Sequence, residues 1–331
     1  MTATITTTTG AQYARVMGVG SARGSRVVDN AEMCTMIESS DEWIQQRTGI
    51  IERRWVAEGE DIETLALSAA TKALHNSGLT ATDIDAILVA SVSYTRQTPS
   101  LACVLAGRLG CGDIAAFDMQ AACAGFNYMI SVADSMVRTG SAHHVLLISA
   151  DVMTAITNFE DRGTAFLFAD GAGAVVVGPS GEAAIGPVVW GSIGSEAEVI
   201  AMPTWEQAIA EHTTPKVIMA GNKVYKWATT AIIQKASEAI QAAGITPTDL
   251  DVLIPHQANN RITDAIVRRL RLPDSIKVCR EIVTMGNTSS ASIPLGMDAM
   301  LTSGEARSGD LALIIGFGAG LVYAGQVVRL P

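Results

Sequence analysis

Apolar runs of strand length alternate along this chain with longer segments of helical length. Residues 86–91, 145–149, 174–177, 252–254 and 311–315 are near-continuous apolar stretches, the pattern of strands buried on both faces. Residues 62–76, 127–139, 228–243 and 261–270 read as helices. The alternation predicts a layered α/β fold. Residues 311–328 could be mistaken for a membrane span, eighteen residues without a charge. Gly316, Gly318, Gly320 and Gly325 interrupt the stretch and Gln326 lies near its end. It therefore reads as a strand, a glycine turn and a second strand.

One pattern occurs twice. Residues 73–89 read ALHNSGLTATDIDAILV and residues 239–255 read AIQAAGITPTDLDVLIP. At a constant offset of 166, Ala73, Gly78, Thr80, Thr82, Asp83 and Asp85 recur as Ala239, Gly244, Thr246, Thr248, Asp249 and Asp251. In each copy a helix ends at a glycine, a polar turn follows, and an apolar strand begins. One long offset implies a duplicated half-molecule rather than a solenoid of short repeats. The weakest stretch between the copies, residues 179–187, divides the chain into halves 1–185 and 186–331.

Composition narrows the function. A chain of 331 residues, 48% apolar and 17% charged, is globular with room for a large core. A net charge of −10 argues against a general nucleic-acid surface, while leaving room for a local basic patch. The five cysteines, Cys34, Cys103, Cys111, Cys123 and Cys279, have no zinc-ligand spacing, so no metal site is expected. They suit a reducing cytoplasm, with most of them small buried hydrophobes. The Thr-rich start, Met1 to Gly10, has neither the basic nor the apolar segment of a secretory signal and is expected to fray.

Candidate chemistry lies at three turns. Residues 118–127, DMQAACAGFN, put Cys123 among small residues at the start of a predicted helix. There the helix dipole and free N–H groups favour a thiolate, and small neighbours admit a thioester. Such a cysteine, taken alone, is more often a packed core residue. His256, in IPHQANNR, follows a predicted strand, where open α/β sheets place their sites. Asn287, in GNTSSASIP, is either a simple turn residue or an amide N–H₂ aimed at developing negative charge. The turn Gly316 to Gly320, GFGAG, allows a close backbone approach and could present an N–H to an oxyanion.

With these motifs assembled, the sequence resembles the β-ketoacyl-acyl carrier protein synthase III family, the initiating condensing enzymes of dissociated fatty acid synthesis. The likeness rests on SSDEWIQQRTGI at 39–50, AACAGF at 121–126, DRGTAFLFADGAGA at 161–174, MAGNKVYKWA at 219–228, PHQANNRI at 255–262 and GNTSSASIP at 286–294. The closing GDLALIIGFGAGLVYAGQVVR is similar to actinobacterial members. The resemblance implies a thiolase-like fold, duplicated halves in α-β-α-β-α layers, and a homodimer. It implies a catalytic triad of Cys123, His256 and Asn287, with the N–H groups of Cys123 and Ala319 as the oxyanion hole. Acyl-CoA would acylate Cys123. Malonyl-acyl carrier protein would then lose carbon dioxide, with His256 and Asn287 stabilising the enolate that attacks the acyl group. CoA enters as a thioester substrate, and no cofactor is implied.

For CoA binding the resemblance implies Trp43 and Arg162 at the adenine, Arg47 at the phosphates and Asn259 at the pantetheine arm. Arg261, Arg268 and Arg269, with Arg271, would form the landing site for an acidic carrier protein. Short-chain members can carry a bulky aromatic at the position of Thr98, closing the acyl tunnel from the partner subunit. The smaller Thr98 implies donors longer than acetyl. Met285 stands where other members often have an aromatic residue or His. Several rivals remain. A thiolase would need a second cysteine in the 316–320 turn, which has none. A polyketide-starter condensing enzyme or acyltransferase keeps most of these motifs. A non-catalytic partner subunit would be expected to lack the nucleophile. A nucleotide-binding module is opposed because the glycine-rich stretch at 169–174, ADGAGA, is not GxGxxG in a first βα turn.

Overall fold

The computed structural model describes residues 3–331. Its first half opens with β1 (Tyr13–Arg23) and a ribbon of β2 (Arg26–Asp29) and β3 (Glu52–Trp55), between which lie α1 (Asn30–Met36) and α2 (Asp41–Thr48). Then follow α3 (Ile62–Ser77), β4 (Ala86–Ala90), α4 (Leu101–Leu109), β5 (Ala115–Asp118), α5 (Gly125–Thr139), β6 (Val145–Val152) and β7 (Asp170–Ser180). The second half opens with β8 (Val189–Gly191) and a small ribbon of β9 (Ile200–Ala201) and β10 (Ile218–Met219), with α6 (Trp205–Ala210) between them. It continues through α7 (Gly221–Trp227), α8 (Ile233–Ala242), β11 (Val252–Pro255), α9 (Asn260–Leu270), β12 (Lys277–Val278) and α10 (Ile282–Met285). It closes with α11 (Ser292–Ser303), β13 (Leu311–Gly318) and β14 (Val322–Arg329).

The two large sheets share one plan. Their strand orders are β1-β7-β6-β4-β5 and β12-β11-β13-β14-β8. In the first, β4 pairs in parallel with β5 and β6, and β7 pairs antiparallel with β6 and β1. In the second, β11 pairs in parallel with β12 and β13, and β14 pairs antiparallel with β13 and β8. The sequence repeat sits at the same place in both. Gly78 (φ 74°) and Gly244 (φ 73°) each follow a helix in the left-handed conformation that glycine adopts at low cost. Thr80 with Asp83 and Thr246 with Asp249 then form matching capping boxes ahead of β4 and β11.

Side-chain alternation explains the continuous apolar runs. On β4, Ala86, Leu88 and Ala90 face the central helices α5 and α11, while Ile87 and Val89 face α3 and α4. On β13, Ala312 and Ile314 face the same central helices, while Leu313, Ile315 and Phe317 pack towards α8 and α9. Each strand is buried on both faces, so the fold is five layers, α-β-α-β-α, as expected. Each fully buried Leu or Ile contributes about 1.5–3 kcal/mol.

Three details differ from expectation. The helix predicted over 228–243 begins earlier, because α7 runs through a π turn at Ala228–Ile232 into α8. Of the five cysteines Cys111 and Cys279 are buried as whole residues, while Cys34 and Cys123 are partly exposed, although the Cys123 thiol itself is enclosed. Cys103 is exposed on α4, with its thiol reaching the Ala116 carbonyl. For Met1 and Thr2 the expectation of fraying lies outside the described residues. By Thr8 the chain is tied to α5, through a hydroxyl bond to the Thr139 carbonyl at 2.7 Å. The 311–328 stretch forms β13, a turn and β14, and no helix among the described residues is long and apolar enough to cross a membrane.

Candidate active site

Cys123 occupies a single 3₁₀ turn, Ala122–Ala124, that leads directly into α5. Ala122 stands at φ 44°, a conformation an L-residue keeps only when its surroundings hold it. The glycine turn after β13 packs against this corner. A Cβ built on Gly318 would lie 2.8 Å from both Sγ and Cβ of Cys123. The backbone N–H groups of Cys123 and Ala319 both favour the charged form of the sulfur. The thiolate expected there is not the resting form. Burial pushes the thiol up to about 11 and the Asp151 charge adds to this, outweighing the Ser289 hydroxyl and the two N–H groups.

His256 sits at the end of β11, with its backbone N–H bonded to the Ile315 carbonyl at 2.8 Å. Its Nδ1 meets Ser292 Oγ at 2.8 Å, and that oxygen also accepts the Gln257 N–H at 3.2 Å. The Ser292 hydroxyl can donate to Nδ1, and in that tautomer the imidazole proton sits on Nε2. Phe317 lies edge-on to the ring at 5.3 Å. Burial drives the imidazole down to about 3 against the opposing Ser289 backbone, so the ring is neutral.

Asn287 is both a turn residue and an oriented amide. Its N–H donates to the Leu167 carbonyl at 2.8 Å and its carbonyl accepts the Ala169 N–H at 2.9 Å. Its Oδ1 accepts the Ser289 N–H at 2.9 Å, which leaves the N–H₂ end for the pocket. Gly286 before it (φ 73°) has no room for a side chain, since a Cβ would lie 2.9 Å from Ala169 and Arg53. Met285 packs beneath the turn with Ala291 and Leu295.

Cys123, His256, Asn287 and Ala319 line one cavity of about 360 Å³, walled by Val92, Met153, Ile156, Phe168 and Met219. A thiol and several neutral N–H donors in an apolar enclosure can attack a carbonyl and stabilise the charge that develops on its oxygen. Among the described residues no three His, Cys, Asp or Glu side chains gather as metal ligands. Sequence reasoning missed Asp151, Ser289 and Ser292. Their signals were an ionisable residue ending an apolar strand and a run of hydroxyls after Asn287.

Residues 117–194 match the family model for 3-oxoacyl-[acyl-carrier-protein] synthase III, and residues 240–330 match that of its C-terminal region. The β-ketoacyl-[acyl-carrier-protein] synthase III of Streptomyces glaucescens is 48% identical over 326 residues, covering 97% of this chain and 98% of its own. The chain belongs to the β-ketoacyl-[acyl-carrier-protein] synthase III family. The synthase of Mycobacteroides abscessus is 44% identical over 98% of this chain and 96% of its own. The priming β-ketosynthase of the R1128 polyketide pathway has a TM-score of 0.95 at 42% identity, covering 98% of each chain. The synthase III of Aquifex aeolicus has a TM-score of 0.89 at 34% identity, covering 96% of this chain and 99% of its own.

In this chain Trp43 and Arg47 share a face of α2, with the guanidinium 5.4 Å from the ring centroid. Arg162 lies over the same ring at 5.3 Å, and Phe166 meets it edge-on. Two guanidinium groups therefore pack on the one indole ring. Asn259 caps α9 by accepting the Arg261 N–H, and donates to the Arg47 carbonyl at 2.8 Å. Arg261, Arg268 and Arg269 are exposed on α9, whose other face is buried. Arg261 stacks on Tyr225 and Arg269 bonds the Thr229 carbonyl. Thr98 is exposed on the loop after β4 and does not line the cavity of its own chain.

Proposed function

We propose that this chain joins an acyl-CoA starter to malonyl-acyl carrier protein by decarboxylative Claisen condensation, releasing a 3-oxoacyl-acyl carrier protein and initiating fatty acid synthesis. The observation that carries this reading is the convergence of Cys123, His256, Asn287 and two backbone N–H donors on one apolar cavity. Cys123 attacks the acyl thioester, and the N–H groups of Cys123 and Ala319 hold the oxyanion. Malonyl thioester then replaces CoA. The Nε2–H of His256 and the N–H₂ of Asn287 donate to its carbonyl oxygen and stabilise the enolate as carbon dioxide leaves. Neutral donors suit this step, because they stabilise negative charge without giving up a proton.

The halves 1–185 and 186–331 divide the task, the first supplying the nucleophile and the second the two donors. CoA binds along Trp43, Arg47, Arg162 and Asn259 as a substrate, and the chemistry needs no cofactor. The acidic carrier protein docks on Arg261, Arg268 and Arg269. The enzyme works in the cytoplasm as a homodimer. The open edge strand β5, with Phe117 exposed, favours pairing with a second copy. Thr98 favours starters longer than acetyl.

A second reading is a polyketide-priming synthase, favoured by the likeness to the R1128 enzyme. Intact-protein mass spectrometry with a panel of acyl-CoAs tests the first. One acyl group should add, be absent in Cys123→Ala, and discharge on malonyl-acyl carrier protein. No adduct with any donor would overturn it. Discharge only by a polyketide carrier protein would favour the second.

A further inference from the structure

The end of β6 carries a carboxyl group that no step of the condensation uses. Asp151 is fully buried there. Its Oδ1 accepts the Ser91 hydroxyl at 3.0 Å, the Ser93 hydroxyl at 2.8 Å, and the N–H groups of Val92 and Ser93 at 2.8 and 3.0 Å. Among the described residues, Oδ2 is buried with no hydrogen-bond partner. The two hydroxyls extend the hold. That of Ser93 accepts the Val152 N–H at 2.8 Å, and that of Ser91 accepts the N–H groups of Ser93 and Tyr94 at 3.2 and 3.1 Å. The turn that follows β4 is thus gathered around one acceptor atom.

That turn carries part of the cavity wall. Val92 lines the cavity and packs against the cluster that contains Met153, Ile156 and Phe168. Apolar contacts are individually weak and not directional, so they do not by themselves fix where Val92 stands. Its backbone does, and its N–H ends on Asp151. The turn is also tied to the corner of the nucleophile. Gln120 donates to the Ser91 carbonyl at 3.3 Å and accepts the Ala122 N–H at 3.1 Å. We propose that Asp151 is a specificity-determining positioning residue: by holding Ser91 to Ser93 it fixes Val92, and with it the length of acyl chain that fits beside Cys123. This rests on the condensing reading above. Asp151 touches no reacting atom and acts through Val92.

Removing the acceptor leaves four donors without their partner. Ser93 is buried, and Ser91 and Val92 are half-buried, so losing that acceptor carries a desolvation cost. The turn has to shift to find other acceptors, and Val92 shifts with it. Asparagine at this position keeps an acceptor at Oδ1 and places its N–H₂ where Oδ2 stands, so it still holds the turn. The charge of Asp151 also raises the Cys123 thiol. That effect is the same for every acyl donor, so the ratio between donors reports the wall alone.

The test gives the full chain an equimolar mixture of short, medium and long saturated acyl-CoAs and reads single-turnover acylation of Cys123 by intact mass. Val92→Ala moves the wall directly and sets the direction of the change. Asp151→Ala, and the double variant Ser91→Ala with Ser93→Ala, should each shift the long-to-short ratio in that direction by about tenfold, since a change of one methylene in fit is worth about that much. Asp151→Asn should stay within about threefold of the parent ratio. An unchanged ratio in Asp151→Ala, even with all donors slowed alike, would overturn the proposal. So would a shift in Asp151→Asn as large as in Asp151→Ala, because an acceptor at Oδ1 would then not be what holds the turn. Should Asp151→Ala fail to fold, the double variant decides by the same ratio. Alkylation of Cys123 by N-alkylmaleimides of increasing chain length reads the same wall without CoA. If the parent accepts no acyl group from any CoA, the condensing reading fails, and the maleimide ratios still decide the role of Asp151.

Discussion

Adding one methyl group at Gly318 probes how closely the last glycine turn is held against the nucleophile. Gly318 has φ −179°, an extended conformation open to any residue, so Gly318→Ala carries no backbone penalty. Its whole effect is steric. The new Cβ would lie 2.8 Å from both Sγ and Cβ of Cys123, where ordinary contact begins at 3.4 Å, so about 0.6 Å of movement is required. β13 cannot yield freely, because it is paired on both sides by β11 and β14. The strain of such overpacking is about 1–3 kcal/mol. For a chain of this length that lowers Tm by several degrees, at roughly 2–4 °C per kcal/mol. The displaced atoms include the sulfur and, through the strand, the Ala319 N–H. A misplacement of about 1 Å costs about 100-fold in rate, so acylation should fall about 10- to 100-fold. Thermal unfolding and timed mass spectrometry of the acyl-enzyme read the two effects. Gly181→Ala is the control, since its Cβ meets nothing within 4 Å. A Gly318→Ala variant with the parent's Tm and acylation rate would refute the close packing on which the oxyanion argument depends.

Two further outcomes follow from the buried groups. His256 is held down near 3, so decarboxylation of a malonyl thioester should show no imidazole titration between about pH 5 and 8. Carbon dioxide release measures this, and an inflection near 6.5 that vanishes in His256→Ala would contradict a neutral donor. Asp151 stands at about 6 when folded against an ordinary carboxyl value of 3.8, so its ionisation disfavours the folded state. The penalty is absent below the lower value and complete above the higher one, on the order of 3 kcal/mol. Asp151→Asn should therefore raise Tm at about pH 8, with the gain disappearing below about pH 4. A difference that is the same at both pH values would show that burial of the charge is not its source.

The strands at 86–91, 145–149 and 311–315 were legible in the sequence because burial on both faces writes a continuous apolar run. The duplication was legible because a left-handed glycine and a Thr–Asp capping box are local devices that recur at the same offset. Cys123, His256 and Asn287 could be singled out from their turns, since strand and helix ends leave local marks. Protonation states could not be read in this way. The sequence placed Cys123 at a helix start and so favoured a thiolate, whereas the tertiary structure encloses it and adds the Asp151 charge. Ser289 reaches Cys123 across 166 residues, and Ser292 reaches His256 across 36. Dipoles, caps and turns act over a few residues and are written locally. Desolvation depends on every segment that excludes water from a point, so only the folded layers decided which of these groups carry charge.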